Sequence, residues 1–525
     1  MANLKKTENS RKQTFLLRFL GGVERVGNRL PPPPLIFIWL CAILIVISGI
    51  GGLMNWSATG MVLNTSTKEL EETTIGVVSL FSWDGLAYML TKMVNNFTTF
   101  TSVGYTCTIM LAIGVAEQSG WMDGLIRKAV ALTPAKLVTP LVVFIGVESN
   151  ICENAGYMVF VPLAAMIFKA CGKHPLAGIA AGFAGVSGGF SANLLMGSID
   201  ATLAGFTQSA AQMSDPNYVV TPTCNWFFMF TSTFFLVAIG TFVTEKIVIP
   251  NLGPYKEGSG DGSLVEVRSE LTPTEAKALK ISNWTFVGMI VLIVILCIPQ
   301  NSFFRNAETG SLIEGSVLIN GLIPIFAILF MVPGIIYGRI SGSIKNQKEL
   351  GAAFTASFRT IAGFLATAFF ASQFSNYFKY TKIGNIISIK GAETLQALDI
   401  GWIPLIVIFI LFCGLVNLMM PQASAKWAIF APVFVPMFMN LGMAPEMVQC
   451  AYRIADSSMN ILCPVLSSLP IILASMKRYE KDSGFGTLAS NMLPYSMCFL
   501  LFWTIMLIVW CSVGLPLGPG VAALL

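Results

Sequence analysis

Apolar runs separated by short charged stretches recur along the whole chain, and they fall into two length classes. The longer ones, at 35–54, within 85–116, and at 176–196, 226–249, 284–298, 316–337, 352–374, 447–474 and 492–513, are read as membrane-spanning helices, which need roughly 20 apolar residues. The shorter ones come in two pairs, 137–147 with 156–170 and 403–420 with 427–441, split by the polar breaks ESNICEN and PQASAK. Non-helical backbone at membrane depth is tolerated only where protein buries it or water reaches it. Each pair therefore reads as a re-entrant hairpin, over 137–171 and 402–441. The pattern predicts an all-α polytopic membrane protein with nine transmembrane helices and two opposed re-entrant hairpins.

Charge sets the orientation through the excess of Lys and Arg in cytoplasmic loops. Lys5, Lys6, Arg11, Lys12, Arg18, Arg25 and Arg29 precede the first span, so residues 1–34 read as a cytoplasmic N-terminal segment, and the first span as uncleaved. Residues 35–249 form one half and 282–525 the other, joined by a mixed-charge cytoplasmic loop at 250–281. Threaded this way, the first hairpin enters from the cytoplasm and the second from outside. Lys379, Lys382 and Lys390 on the outer side run against the charge rule.

The two halves are also similar in sequence. A shift of 270 positions brings Phe168, Gly172, Pro175, Ala181 and Ser187 onto Phe438, Gly442, Pro445, Ala451 and Ser457, and Tyr157 onto Trp427. With opposite entry sides this is an inverted repeat, the pattern of secondary transporters whose sites lie where the repeats meet.

Composition narrows the chemistry. Of the 525 residues 54% are hydrophobic and 11% charged, against about a quarter charged in soluble domains. A net charge of +5, dispersed, gives no reason to expect nucleic acid. The 11 cysteines contain no CxxC pair and His174 is the single histidine, so no disulfide, zinc site or other cofactor is expected. Carboxylates must carry any proton.

Arg453 and Asp456 stand in an apolar run, where each charge costs roughly 2.5–3.5 kcal/mol on insertion scales. Their spacing puts them on one helix face, where they can neutralise each other or form a binding site. Arg453 can grip a carboxylate with two hydrogen bonds, and Asp456 can carry a proton. Ser149, Asn150 and Asn154 mark one hairpin tip, and Ser424 and Lys426 the other, where unpaired backbone groups can meet a substrate carboxylate or a cation. Trp427 can stack on an aromatic ring or simply be core. Asn193, in a glycine-rich run, Asp200 near the end of its span, and Asn460 complete the polar candidates. Asn150, Asn193 and Asp456 are candidate sodium ligands. Pro445 reads as a loop start and Pro464 as a helix break.

The segments HPLAGIAAGFAGVSGGFSANLLMGSIDATLAG, SAKWAIFAPVFVPM, YRIADSSMNI and GTLASNMLPYS resemble the AbgT family of p-aminobenzoyl-glutamate transporters, which includes a sulfonamide efflux pump. The resemblance implies a homodimer in lipid, each protomer with nine spans, two hairpins, a transport domain and a dimerisation domain. It implies that Asp200, Ser424, Trp427, Pro445, Arg453, Asp456 and Pro464 serve substrate passage. Ile151, where relatives in the wider superfamily carry a hydroxyl, Lys426 where Gln can occur, and Met459 and Cys463 where threonines can occur all point away from sodium. The expectation is a bacterial inner-membrane secondary transporter of p-aminobenzoyl-glutamate or related aromatic carboxylates, proton-coupled through Asp456 with sodium as the alternative, and an antiporter of sulfonamides conferring resistance. An intramembrane aspartyl protease using Asp200 and Asp456 is disfavoured, since neither lies in a GxGD setting; no enzyme is expected.

Overall fold

The computed structural model describes residues 31–63, 70–131, 137–152, 156–256, 258–260, 271–312, 316–397 and 400–525. The helices are α1 Pro33–Leu53, α2 Trp83–Thr98, α3 Thr101–Gln118, α4 Trp121–Ala131, α5 Val138–Glu148, α6 Val161–Ala170, α7 Pro175–Phe183, α8 Ser198–Ala211, α9 Trp226–Val243, α10 Ile249–Leu252 and α11 Pro273–Cys297. They continue as α12 Val317–Asn320, α13 Leu322–Ser341, α14 Gln347–Thr360, α15 Ala362–Thr381, α16 Ile383–Ala397, α17 Trp402–Asn417, α18 Ala423–Met439, α19 Pro445–Asn460, α20 Leu469–Lys477 and α21 Phe485–Ser512. One antiparallel hairpin, β1 Ser57–Leu63 with β2 Leu70–Gly76, interrupts the helical pattern after α1.

Among the described residues six helical stretches are long and apolar enough to cross a membrane, or seven when α14 and α15, bent by 46°, are taken as one span. The two further spans expected at 176–196 and 447–474 are not continuous. α7 runs into a wide π turn at Ala184–Gly188, the chain is non-helical from 189 to 197, and α8 follows. α19 ends at Asn460, turns through buried Pro464, and α20 resumes at Leu469. The expected second span is likewise α2 and α3, broken at Thr99 and Phe100. α11 starts at Pro273, inside the stretch read as a linker, because Thr272 caps it: its hydroxyl accepts from Glu275 N–H while the Glu275 carboxylate accepts from Thr272 N–H.

The sequence match at 270 positions corresponds to matching local structure. After α6, Lys173 N–H donates to Phe168 O, with Gly172 at φ +69°; after α18, Met443 N–H donates to Phe438 O, with Gly442 at φ +80°. Both are left-handed helix ends that only glycine adopts without strain. Pro175 and Pro445 then occupy the first turn of α7 and α19, where the missing N–H has no helical use. The broken span α7 also packs unusually close to α5. A Cβ at Gly185 would lie 2.7 Å from Val143 O, so a side chain there would push the π turn off the first hairpin.

Two buried apolar clusters organise the packing. The larger draws on both hairpins, α7, α9, α19 and α21. The smaller gathers Ile109, Trp121, Leu279, Phe330 and Tyr337 from α3, α4, α11 and α13.

Candidate functional site

The unwound stretch between α7 and α8 lies against α19, and polar side chains of α19 hold it. Ser191 N–H donates to Ser457 Oγ (3.1 Å) and Ser191 O accepts from Arg453 Nη2 (3.2 Å). Asp200, in the first turn of α8, caps that helix by accepting from Gly197 N–H at 2.7 Å. Its other oxygen meets Arg453 Nη2 at 2.5 Å, with both side chains almost completely buried. Arg453 therefore does not pair with Asp456, one turn further along the same helix. The i, i+3 pairing is replaced by one that ties the two sequence halves together.

Asp456 pairs with Lys426 instead, at 2.6 Å. The fully buried Lys426 ammonium is enclosed by three oxygens: Asp456 Oδ1, Asn417 Oδ1 and, at 3.3 Å, Met420 O. Asn417 closes the group by donating to Asp456 O at 2.7 Å. These oxygens come from α17, the turn after it, and α19, so a side-chain cation from α18 sits where three elements converge.

Trp427, next to Lys426, is fully buried and stacks on Tyr452 with ring centres 4.6 Å apart. Its Nε1 donates to Thr207 Oγ1 at 2.8 Å, and Thr207 Oγ1 lies 2.5 Å from Gln449 Oε1. Gln449 Nε2 donates to Asn225 Oδ1 (2.8 Å), Asn225 Nδ2 to Glu446 O (2.8 Å), and Tyr218 OH to Glu446 Oε2 (3.0 Å). The second hairpin is thus bolted through its tryptophan to α8, α19 and α9.

The remaining candidates divide. Ser149 Oγ is used locally, on Gly146 O at 2.7 Å. Among the described residues both side-chain polar atoms of Asn150, and Oδ1 of Asn193 and of Asn460, are buried without a hydrogen-bond partner, as is Asp456 Oδ2. Asn193 shares a small void with Asp200. Ser424 is half-buried in the first turn of α18, and Pro445 is buried at the start of α19. Asn154 lies outside the described residues.

Sequence reading passed over Asn417, Thr207, Ser191, Ser457 and Gln449. One signal was available: Glu446, Gln449, Arg453, Asp456 and Asn460 recur at helical spacing, a polar stripe along α19. Asn417 carries no such mark, being the single polar residue of apolar α17, and Thr207 is one of several polar residues in α8 with nothing to set it apart.

This arrangement, two broken spans with two broken hairpins around buried charge pairs, has known relatives. The AbgT putative transporter family matches residues 18–525. The chain belongs to this family. It is 34% identical over 504 residues to the p-aminobenzoyl-glutamate transport protein of Escherichia coli (strain K12), with 96% of each chain covered. Its fold matches the solved structure of MtrF from Neisseria gonorrhoeae, described among a class of antimetabolite efflux pumps, with a TM-score of 0.90 and 43% identity over 96% of this chain and 100% of that one. It also matches the YdaH transporter of Alcanivorax borkumensis, with a TM-score of 0.86 and 38% identity over 93% of this chain and 100% of that one. The family's members are transporters and not enzymes, and this chain is a multi-pass membrane protein of that kind.

Proposed function

We propose that the chain is a secondary active transporter of p-aminobenzoyl-glutamate or related aromatic carboxylates, coupled to protons, working as a homodimer with nine spans per protomer in a bacterial inner membrane, N-terminus cytoplasmic. The substrate class comes from the relative in Escherichia coli, and the efflux of sulfonamide antimetabolites is the direction suggested by MtrF. The observation that carries the reading is a pair of buried ion pairs that share α19, Arg453 with Asp200 across the two halves and Lys426 with Asp456 within the second. The matched caps after α6 and α18 support the repeat, with the Arg453–Asp200 pair lying where its halves meet.

In this reading a substrate carboxylate exchanges with Asp200 for the Arg453 guanidinium, whose Nε has no partner among the described residues. Exchange of one carboxylate for another keeps the buried cation paired throughout, so binding and release avoid the cost of an isolated charge. Asp456 is the coupling acid. Lys426 supplies to its oxygen cage the positive charge that a metal cation would otherwise bring, so a proton reaching Asp456 loosens the ammonium and frees the second hairpin.

A sodium-coupled reading has one observation in its favour, the amide oxygens of Asn150, Asn193 and Asn460 and the second oxygen of Asp456, none of which has a partner among the described residues. Hard cations take such oxygens. Uptake of labelled p-aminobenzoyl-glutamate into proteoliposomes, with a pH gradient or a sodium gradient imposed singly, separates the two. Accumulation driven by the pH gradient alone is expected; accumulation driven by sodium alone would overturn proton coupling, and no saturable counterflow would overturn transport.

A further inference from the structure

A cavity of about 640 Å³ lies between α16 and the second hairpin, but a smaller one of about 410 Å³ has the more specific chemistry. The smaller cavity lies beside the first hairpin tip, in the seam between the two apolar clusters: Ile126 and Ile145 belong to the larger, Trp121 and Phe330 to the smaller. Its volume suits one substituted aromatic ring, at the lower end of the range for ligand pockets. Its walls carry the rings of Trp121, Phe144, Phe286 and Phe330, and its polar groups are Glu148, Ser149 and Asn283.

Glu148 is the informative residue. It is the last residue of α5, where the helix carbonyls already point and a negative charge is disfavoured by the helix dipole. One carboxyl oxygen accepts from Leu194 N–H at 3.3 Å; no cationic side chain pairs with Glu148 among the described residues. Asn283 presents its oxygen to Trp121 Nε1 at 2.9 Å. An aromatic box whose wall carries a carboxyl with no cationic partner among the described residues calls for a ring bearing a hydrogen-bond donor.

The cavity adjoins the charge-pair site. Leu195 lines it, and also lines the small void shared by Asn193 and Asp200 on the other side of the unwound stretch. That stretch is pinned between Glu148, through Leu194 N–H, and Trp226, whose Nε1 donates to Leu194 O at 2.9 Å. We infer that this cavity binds the aromatic amine end of the substrate, with the Glu148 carboxyl accepting from the amino group and the ring held among Trp121, Phe144, Phe286 and Phe330. This rests on the transport reading above, and assigns the amine to Glu148 as that reading assigns the carboxylate to Arg453.

The test is isothermal titration of purified protein with p-aminobenzoyl-glutamate, with benzoyl-glutamate, which lacks the amine, and with p-aminobenzamide, which lacks the carboxylates. Wild type should prefer the amine-bearing glutamate conjugate. Glu148→Gln should weaken that compound and p-aminobenzamide about tenfold, the scale of one hydrogen bond to a charged group, and leave benzoyl-glutamate unchanged. Arg453→Lys should weaken both glutamate conjugates and leave p-aminobenzamide unchanged, so loss of the carboxylate site and loss of the amine site read out separately. Should Glu148→Gln fail to fold, Phe286→Trp fills part of the cavity and should weaken all three compounds. Equal wild-type affinity for the two conjugates, or an undiminished preference in Glu148→Gln, would overturn the inference.

Discussion

Lys426 and Asp456 meet at 2.6 Å with both side chains closed off from solvent, one from the second hairpin and the other from the helix that follows it. Removing one member of such a pair leaves an uncompensated buried charge at a cost of about 3–5 kcal/mol, whereas replacing both with neutral groups is often close to neutral. Asp456→Asn should therefore melt far below wild type in detergent, and Lys426→Gln with Asp456→Asn should recover most of the difference. The double variant should still exchange substrate across liposomes but lose pH-gradient-driven accumulation. Wild-type coupling in the double variant would remove Asp456 from the proton path.

Arg453 pairs with Asp200 in the same way, and here substrate is the expected competitor. Asp200→Asn should lower stability but raise the thermal shift that p-aminobenzoyl-glutamate produces, because the ligand then supplies the missing carboxylate. Arg453→Lys keeps the charge and loses the planar fork, so affinity should fall about tenfold or more. An unchanged ligand shift in both variants would place the carboxylate elsewhere.

Trp427 stacks on Tyr452 and donates to Thr207, so its ring is already engaged. Trp427→Ala should cost about 3–5 kcal/mol through the cavity it leaves. Trp427→Phe should cost about 1 kcal/mol for its one hydrogen bond and Thr207→Val more, because Gln449 also loses its hydroxyl partner, and the double variant should cost less than the sum of the two. Additive losses in a double-mutant cycle would show that the hydroxyl and the indole act independently.

His174 gives a stability signal outside the spans. Its Nδ1 accepts from Leu176 N–H at 3.2 Å, capping α7, while Nε2 faces Glu480 at 3.5 Å and the ring packs edge-on to Tyr255. Burial holds the imidazole below its usual range, with Glu480 opposing in part. A histidine that binds its proton less readily folded than unfolded loses stability as pH falls through the unfolded value of about 6.5. His174→Asn keeps a cap acceptor but does not titrate. Its melting temperature should fall less than that of wild type between about pH 7 and 5.5, and parallel curves would show that His174 contributes nothing.

The linear sequence determined the helical, membrane-bound character, the paired short apolar helices and the match of their ends at Phe168, Gly172 and Pro175 with Phe438, Gly442 and Pro445, because apolar run length and helix-end chemistry are local. It also marked Arg453 and Asp456 as residues needing partners, since buried charge is costly wherever it lies, and named Lys426 and Asp200 only as polar candidates at a hairpin tip and a span end. Only the tertiary structure decided who those partners are. Along α19 the i, i+3 spacing favours Arg453 with Asp456, yet Asp200 and Lys426 arrive from α8 and α18 and take one charge each. The breaks at 189–197 and 461–468 were likewise settled in three dimensions: Ser191 gives up helical bonds because Ser457 and Arg453 replace them from a neighbouring helix. Long-range electrostatic pairing and the satisfaction of unwound backbone depend on which surfaces meet, and hydropathy does not encode that.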